Sequence, residues 1–333
     1  MRIVILLLLF SFGALSANPL DPVVRSTQGA QQFYSQMIDS YQKEDWRRLL
    51  LESQDLIEQF SSSPFAREAH YYLGVAYFHL RDLDLANKAF TTYLKEESSP
   101  RFFHEVLKYK FEIASAFHEG ERMHLFGWQK MPKWLPAYDE ALELYDEITT
   151  SLPRDDLSAE ALFRKGQLLL RMEEYKKSVE AFKTLIRRFP KHPLAPKSYL
   201  SISDVYLSEL KVKFPDPDKL DLAEINLRNF RTHFPTEPMV DEAREKLLTM
   251  KERLAAELFE IGEFYKRTKK KSAAQIYYQT ILKKYPETKV AQKSKKLLQS
   301  LQPKTVQDQT PSQDLSAHKE QNQDVSALSP SSD

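Results

Sequence analysis

The stretch AAELFEIGEFYKRTKKKSAAQIYYQTILKKYPET, residues 255–288, decides the fold because its small, aromatic and proline residues follow one helix-turn-helix spacing. Counted from Ala255, the small residues Gly262 and Ala274 fall at positions 8 and 20, where two antiparallel helices can approach closely. Larger side chains that fill the space between the helices fall at positions 11, 24 and 27, namely Tyr265, Tyr278 and Ile281. Pro286, at position 32, cannot continue the second helix, so the chain must turn there.

This 34-residue pattern resembles the tetratricopeptide repeat (TPR), a helix pair that buries its apolar face only when it stacks on neighbouring pairs. Units that begin at Arg67 and Ala159 match it well, a degenerate unit begins near Ala30, and units with extra residues between their helices begin near Glu105 and Ala195. We therefore predict an all-α fold, a TPR-type α-solenoid in which about six helix pairs form a right-handed superhelix over residues 18–302. A last helix that begins at Lys289 is expected to cap the stack.

The third unit carries an insertion, HEGERMHLFGWQKMPKWLP, at residues 118–136. Gly127, Pro132 and Pro136 exclude a single regular helix. Two interpretations remain open for its aromatic residues Phe126, Trp128 and Trp134. They pack against their own helices, or they form a docking loop for another protein, since tryptophan dominates the energetics of many interfaces. The fifth unit also has a longer turn, in the Pro-rich stretch KVKFPDPDKLD, residues 211–221.

The two ends of the chain differ in composition from its body. Residues 1–17, MRIVILLLLFSFGALSA, place one arginine before a short apolar run and small residues, which is typical of a signal peptide. An uncleaved membrane anchor is the alternative, although the apolar run is shorter than a spanning helix requires. Residues 303–333 have no aromatic residue and no periodicity, and we predict a disordered tail. Because residues 1–17 are typical of a signal peptide, the body of the protein is expected to be exported.

The composition and the motifs of the chain argue against catalysis, metal binding and nucleic-acid binding. The formal net charge is +1, so no global field favours nucleic acid, and the absence of cysteine excludes disulfides, thiolate catalysis and lipid attachment through a cysteine. No phosphate-binding loop or nucleophile motif occurs, and the spacing of His118 and His124 does not place two ligands on one helix face. We predict no enzymatic activity, no cofactor, no metal site and no nucleic-acid partner.

Two surfaces remain as candidate binding sites. The inner face of a TPR stack is lined by the first helix of each pair, and apolar residues at positions 5 and 12 suggest a groove for a peptide. The predicted groove residues are Tyr71, Phe78, Phe163 and Leu170, with Phe126, Trp128 and Trp134 from the insertion. A purely structural role for these side chains is the alternative, because adjacent repeats also bury residues at such positions.

The second surface is basic. From Lys251 to Lys304 the chain has 14 Lys and Arg against 5 Glu, a local net charge of +9. We predict partner binding by Arg253, Lys266, Arg267, Lys269, Lys270 and Lys271. An acidic protein surface or anionic lipid headgroups would neutralise this charge, whereas a solvated basic face is the alternative interpretation.

The run EAREKLLTMKERLAAELFEIGEFYKRTKKKSAAQIYYQTILKKYPET, residues 242–288, resembles the end of BamD, the TPR component of the machinery that assembles outer-membrane β-barrels. The matching elements are Arg253-Leu254-Ala255, the "E…G.FY" pattern around Gly262, and Tyr285-Pro286 with Thr288. The insertion that contains Leu125 to Trp128 is similar to the family's insertion at its third repeat. The resemblance extends over about residues 30–302 and is most specific at the C-terminal end.

The resemblance implies a non-enzymatic periplasmic scaffold at the inner face of the outer membrane. Its C-terminal repeat, around Arg253 to Lys271, would hold the periplasmic domains of the BamA-like assembly protein. Its N-terminal groove would present Tyr71, Phe78 and Trp128 to unfolded outer-membrane protein segments. Because the chain lacks a lipoprotein cysteine, membrane association would come through the partner or an uncleaved signal. The alternative is an exported TPR adaptor that coordinates envelope division or peptidoglycan synthesis with the Tol system.

Overall fold

The computed structural model describes residues 22–125, 131–210 and 216–301. The predicted signal peptide, the predicted tail, and the candidate groove residues Phe126 and Trp128 lie outside these ranges, so they stay predictions.

The described residues form an all-α TPR solenoid, as the repeat spacing predicts. Helices pair in chain order into six hairpins followed by one further helix, which agrees with the predicted number and with the predicted last helix. The helices are α1 (Pro22–Gln42), α2 (Trp46–Gln59), α3 (Pro64–His79), α4 (Leu83–Glu96), α5 (Phe103–Glu119), α6 (Tyr138–Ser151), α7 (Asp156–Arg171), α8 (Tyr175–Arg188), α9 (Leu194–Glu209), α10 (Asp218–His233), α11 (Met239–Arg267), α12 (Lys271–Lys284) and α13 (Lys289–Leu301).

The chain divides into two compact units, Met1–Leu254 and Ala255–Asp333, and the division falls inside α11. In the first unit each helix from α1 to α10 packs on the next, and α1, α3, α5, α7 and α9 also contact one another in sequence. These first helices of each pair therefore form one layer of the solenoid. In the second unit α12 packs on α13. Ala255, where this unit starts, is also the first position of the repeat that decides the fold.

A glycine packed against an aromatic ring sets the distance between the two helices of three repeats. A Cβ atom at Gly74 would lie 2.6 Å from the Phe90 ring, and a Cβ atom at Gly166 or Gly262 would lie 2.7 Å from the ring that faces it. These separations are shorter than any ordinary carbon contact, so only glycine fits without movement of the ring. The three pairs are Gly74 with Phe90, Gly166 with Phe182 and Gly262 with Tyr278.

In the first repeat, different residues make the contact between the two paired helices. Met37 occupies position 8 and Ser53 occupies position 24, and both are fully buried. The larger side chain thus lies on the first helix and the smaller one on the second, the reverse of the arrangement at Gly74 and Phe90. This reversal explains why the repeat is degenerate in sequence although its helices, α1 and α2, are complete.

The turn between paired helices has one conformation in four repeats. The residue at position 15 adopts a left-handed backbone with φ between 55° and 66°, although none of the four is glycine. The next residue donates its backbone N–H to the carbonyl five positions earlier, as in Asp82 to Tyr77 at 2.9 Å, which closes the end of the first helix. The four residues are Glu44, Arg81, Glu173 and Lys269.

The insertion in the third unit forms a β-hairpin, which the sequence analysis did not predict. Strands β1 (Arg122–His124) and β2 (Lys133–Pro136) are antiparallel, with Met123 opposite Leu135 and a register shift after Met123. As expected, the insertion is not one regular helix. Gly120, with a φ of 107°, ends α5 and turns the chain toward β1.

A fully buried lysine joins three helices of the first unit. The Lys110 ammonium, on α5, donates to Thr91 Oγ1 at 2.7 Å, to Asn87 Oδ1 at 3.1 Å and to Glu147 Oε2 at 2.8 Å. Burial lowers the pKa of Lys110, and the charge of Glu147 opposes that shift. Asn87 also donates to Glu140 at 2.7 Å, so α4, α5 and α6 share one polar network.

Replacement of Gly74 by alanine is expected to destabilise the protein by about 1–3 kcal/mol, because the new Cβ atom overlaps the Phe90 ring and forces the helices apart. The roughly 1 kcal/mol that alanine gains over glycine in a helix offsets only part of this steric cost, so we expect a net loss. The free energy of unfolding in urea, followed by circular dichroism, measures the change. The double variant G74A/F90L should recover part of the loss, and an additive double variant would contradict the steric explanation.

Replacement of Lys110 by alanine should cost about 2–4 kcal/mol, because it opens a cavity at a fully buried side chain and leaves the half-buried acceptors of Asn87 and Thr91 without their donor. The variant K110M keeps most of the side-chain volume and so isolates the loss of the hydrogen bonds. Lys108 is exposed on the same helix, and K108A should change the free energy of unfolding by less than about 0.5 kcal/mol. Equal effects of K110A and K108A in urea unfolding would disprove the role of the network.

Candidate protein-interaction site

One predicted groove residue lines an open depression on the layer of first helices. Phe163 on α7 borders a cavity of about 580 Å³ together with Glu160 and Gln167, which occupy positions 2 and 9 of the same repeat. Phe111 on α5 and the segment 192–194 before and at the start of α9 complete the walls. Phe163 packs edge-on against Phe182, with ring centroids 5.6 Å apart, so its orientation is fixed by the core. An aromatic surface beside a carboxylate, an amide and Arg164 can hold a polypeptide segment.

Tyr71 does not line a groove, contrary to the prediction. Its side chain is only 4% exposed and stacks on Phe102, with centroids 4.1 Å apart. The ring is also within 5.9 Å of the Tyr93 ring, centroid to centroid. The Tyr71 ring therefore belongs to the buried core, which is the structural role given above as the alternative interpretation.

Phe78 and Leu170 are half-buried, so only part of each side chain is open to a ligand. The Phe78 ring packs edge-on against Tyr109, with centroids 4.9 Å apart. Neither residue borders the cavity of Phe163. Of these three predicted groove residues, Phe163 has a cavity beside it. Phe78 and Leu170 expose only part of their side chains on the layer of first helices.

Trp134 lies on β2 and is 66% exposed, which is unusual for so large an apolar side chain. The hairpin that carries it is fixed to the start of α4. His124 Nδ1 lies 2.8 Å from Asp84 Oδ1, and Lys133 Nζ lies 2.9 Å from Asp82 Oδ1. The exposed ring is therefore presented on an anchored strand, which favours a docking role over packing against its own helices.

Four of the predicted basic residues form a surface in the second unit. Arg267, Lys269, Lys270 and Lys271 are exposed, and within the described ranges none of them lies at ion-pair distance from a carboxylate. They cluster because Arg267 ends α11, Lys269 adopts the left-handed turn conformation, and Lys271 begins α12. We call these four residues the basic turn. Like charges so close together are stabilised by a negatively charged partner.

Lys266 and Arg253 do not belong to the basic turn. The Lys266 ammonium donates a hydrogen bond to Glu263 at 3.1 Å, and Glu263 also accepts a hydrogen bond from the Tyr278 hydroxyl group. These bonds lower the pKa of Glu263, the one from Tyr278 most, and they pair Lys266 with a carboxylate of its own helix. Arg253 is half-buried and lies in the first unit.

Sequence reasoning missed an apolar strip beside the basic turn. Ile261 and Phe264 are 40% and 52% exposed, and they lie three residues apart on α11, with Arg267 three residues further. Residues at this spacing share one helix face. The apolar pair and the first cation of the basic turn therefore form one continuous surface. Their exposure could not be read from the sequence, because these positions look like packing positions of a further repeat.

Within the described ranges, no group of three or more His, Asp or Glu side chains is arranged to hold a metal ion. Within the same ranges, none of the helices combines the length and apolar composition needed to cross a lipid bilayer.

Comparisons with known proteins support the repeat architecture. The family described as YfiO, outer membrane lipoprotein, matches residues 208–313, about a third of the chain. Two TPR families match residues 160–192 and 52–100. No curated protein matches the chain significantly.

Three solved structures are among those similar to this chain. A TPR protein from Parabacteroides merdae ATCC 43184 is 15% identical, with a TM-score of 0.38 and coverage of 82% of this chain and 99% of that one. YrrB, described as a TPR protein with an unusual peptide-binding site, is 14% identical, with a TM-score of 0.37 and coverage of 68% and 98%. PilF of Pseudomonas aeruginosa is 15% identical, with a TM-score of 0.31 and coverage of 82% and 99%.

At this identity and TM-score the similarities carry no argument about function. The helix order of the structure and the two matching repeat families make this chain a tetratricopeptide-repeat solenoid, the class of fold whose stacked helices bind other proteins.

Proposed function

We propose that this chain is a non-enzymatic, exported adaptor that assists the assembly and insertion of outer-membrane β-barrel proteins. In this proposal the second unit binds the periplasmic domains of a BamA-like assembly protein. The inner layer of the first unit holds unfolded segments of the barrel substrates. The protein works in the periplasm at the inner face of the outer membrane, and its contact with the membrane is made through the partner.

One observation carries the proposal. The match to the outer membrane lipoprotein family, residues 208–313, includes every described residue of the second unit, where the basic turn lies. The part of the chain that is similar to an envelope family thus carries the basic turn. This is also the region where the sequence resembles the C-terminal end of BamD.

The chemistry of that surface suits a protein partner. Interfaces typically bury an apolar centre and leave charged residues at the rim, where charge complementarity steers association. Ile261 and Phe264 supply the apolar part and the basic turn supplies the charged part. A partner for this surface would present an apolar contact bordered by carboxylates.

The cavity beside Phe163 supports the second half of the proposal. An unfolded β-barrel segment alternates apolar and polar side chains, so it can place an aromatic or aliphatic residue against Phe163 and Phe111. Its backbone and polar residues can meet Glu160, Gln167 and Arg164 at the same site. Trp134 on the anchored hairpin offers a further exposed contact.

The test is affinity capture of the chain without its predicted signal peptide, residues 18–333, from detergent-solubilised envelopes of the source bacterium. Captured proteins are identified by mass spectrometry beside a variant in which Arg267, Lys269, Lys270 and Lys271 are changed to glutamate. Lys266 is left unchanged because its replacement would disturb the bond to Glu263. We expect the wild type to recover the β-barrel assembly protein and the variant to recover at least tenfold less of it.

A matched control changes four exposed cations of the first unit, Arg47, Lys88, Lys108 and Arg154, to glutamate, which gives the same change of net charge. This control should recover the assembly protein as the wild type does. Equal loss in both variants would point to nonspecific charge attraction and contradict the proposed interface. Recovery of Tol or peptidoglycan-synthesis proteins in place of the assembly protein would favour the alternative adaptor function.

A further inference from the structure

A second cavity, of about 670 Å³, lies between α8 and α10 above α9, and it is distinct from both surfaces described above. Its floor is formed by Tyr199, Ile202 and Tyr206 of α9, which are at most 6% exposed and follow one face of the helix over two turns. One wall comes from α8 and the short segment after it, and the other from α10. We call this cavity the α8–α10 cleft.

The wall from α10 is apolar and open to solvent. Leu222 and Ile225 line the cleft and are 40% and 48% exposed, and Ile186 of α8 faces them from the other wall. Exposed aliphatic side chains above a buried aromatic floor form a contiguous apolar surface, which in a soluble domain commonly marks a binding site.

Hydrogen bonds between α10 and α9 hold the floor of the cleft in place. Asn226 of α10 is buried and donates to the Tyr199 carbonyl at 2.9 Å and to Ser203 Oγ at 3.1 Å. The Tyr199 ring stacks on Phe230 with centroids 5.1 Å apart, and its hydroxyl lies 3.2 Å from His233 Nδ1. The apolar surface is therefore preformed, which lowers the cost of ordering it when a ligand binds.

The rim of the cleft on the α8 side is basic. Lys183, Arg187 and Lys191 line it and are exposed, and no acidic residue is among the described residues that line the cleft. The carboxylate of Glu180 lies 4.0 Å from Arg187, and both side chains are mostly exposed. Positive charge along one edge of an apolar floor is complementary to a ligand with carboxylates along one edge of an apolar face.

We propose that the α8–α10 cleft binds an amphipathic helical segment of a partner protein, with apolar residues against α9 and α10 and with Asp or Glu residues along the edge that meets α8. A helix suits the site because the cleft is itself walled by two helices and its floor spans about 10 Å along α9, two turns of an incoming helix. The apolar anchors at positions i, i+3, i+4 and i+7 would occupy that floor. This binding does not depend on the β-barrel assembly proposal, because it uses other residues.

Fluorescence anisotropy with a labelled synthetic peptide tests the inference on the chain of residues 18–333. The probe is an 18-residue helix with leucine at i, i+3, i+4 and i+7 and glutamate along one flank. Two comparison peptides replace its glutamates by lysine or its leucines by serine. We expect binding of the probe, at least tenfold weaker binding of the lysine peptide, and loss of binding with the serine peptide.

Two variants assign the binding to the cleft. K183E/R187E/K191E should weaken binding of the acidic probe at least tenfold and improve binding of the lysine peptide. L222S/I225S should weaken binding of the acidic probe at least fivefold, and both changed residues are partly exposed, so the fold is expected to persist and circular dichroism checks it. The matched control K176E/K177E/K197E changes three exposed lysines outside the cleft and should leave affinity within twofold of wild type.

Three outcomes would overturn the inference. They are equal affinity for the acidic and lysine peptides, equal weakening by the cleft and control variants, and absence of probe binding. Sedimentation that shows a dimer lost in L222S/I225S would assign the cleft to a second copy of the chain. Stronger probe binding after removal of residues 303–333 would assign it to the chain's own tail.

Discussion

The distance between paired helices is the constraint on which the solenoid depends. In three repeats it is set by a glycine that leaves room for only an aromatic ring, as at Gly74 and Phe90. Close packing makes the helix pair rigid, and a rigid pair presents its outer residues at fixed positions to the next pair. Errors at this contact would therefore be transmitted to the neighbouring repeat, because a stacked repeat is stabilised chiefly by its neighbours.

The fold was largely predictable because this contact leaves a direct trace in the sequence. A small residue at position 8, a large one at position 24 and a proline at position 32 identify Ala255–Thr288 without any knowledge of distant residues. The first repeat was harder to identify because Met37 and Ser53 exchange the large and small positions. The hairpin was not predicted, since its anchor joins His124 to Asp84, forty residues away, and no local pattern announces such a pairing.

The candidate sites were predicted less completely than the fold, because periodicity does not show which residues neighbouring repeats cover. Tyr71 and Phe163 occupy the same repeat position, yet Phe102 covers Tyr71 while Phe163 borders a cavity. The basic turn was expected from charge alone, but Lys266 pairs with Glu263 of its own helix and does not belong to it. The α8–α10 cleft could not be foreseen, because it depends on how far apart two helices lie. The packing within each repeat is thus encoded by residues of that repeat, whereas the binding surfaces depend on how several repeats lie together.

At the left-handed residue in the turn of four repeats, the backbone conformation stays constant while the side-chain charge changes. Its backbone conformation is the same at Glu44, Arg81, Glu173 and Lys269, and all four side chains are exposed. The sign of the charge nevertheless alternates from one of these turns to the next. Evolution can therefore rewrite the electrostatic pattern along the turns of such a protein, and with it the choice of partner, while the geometry of every repeat stays as it is.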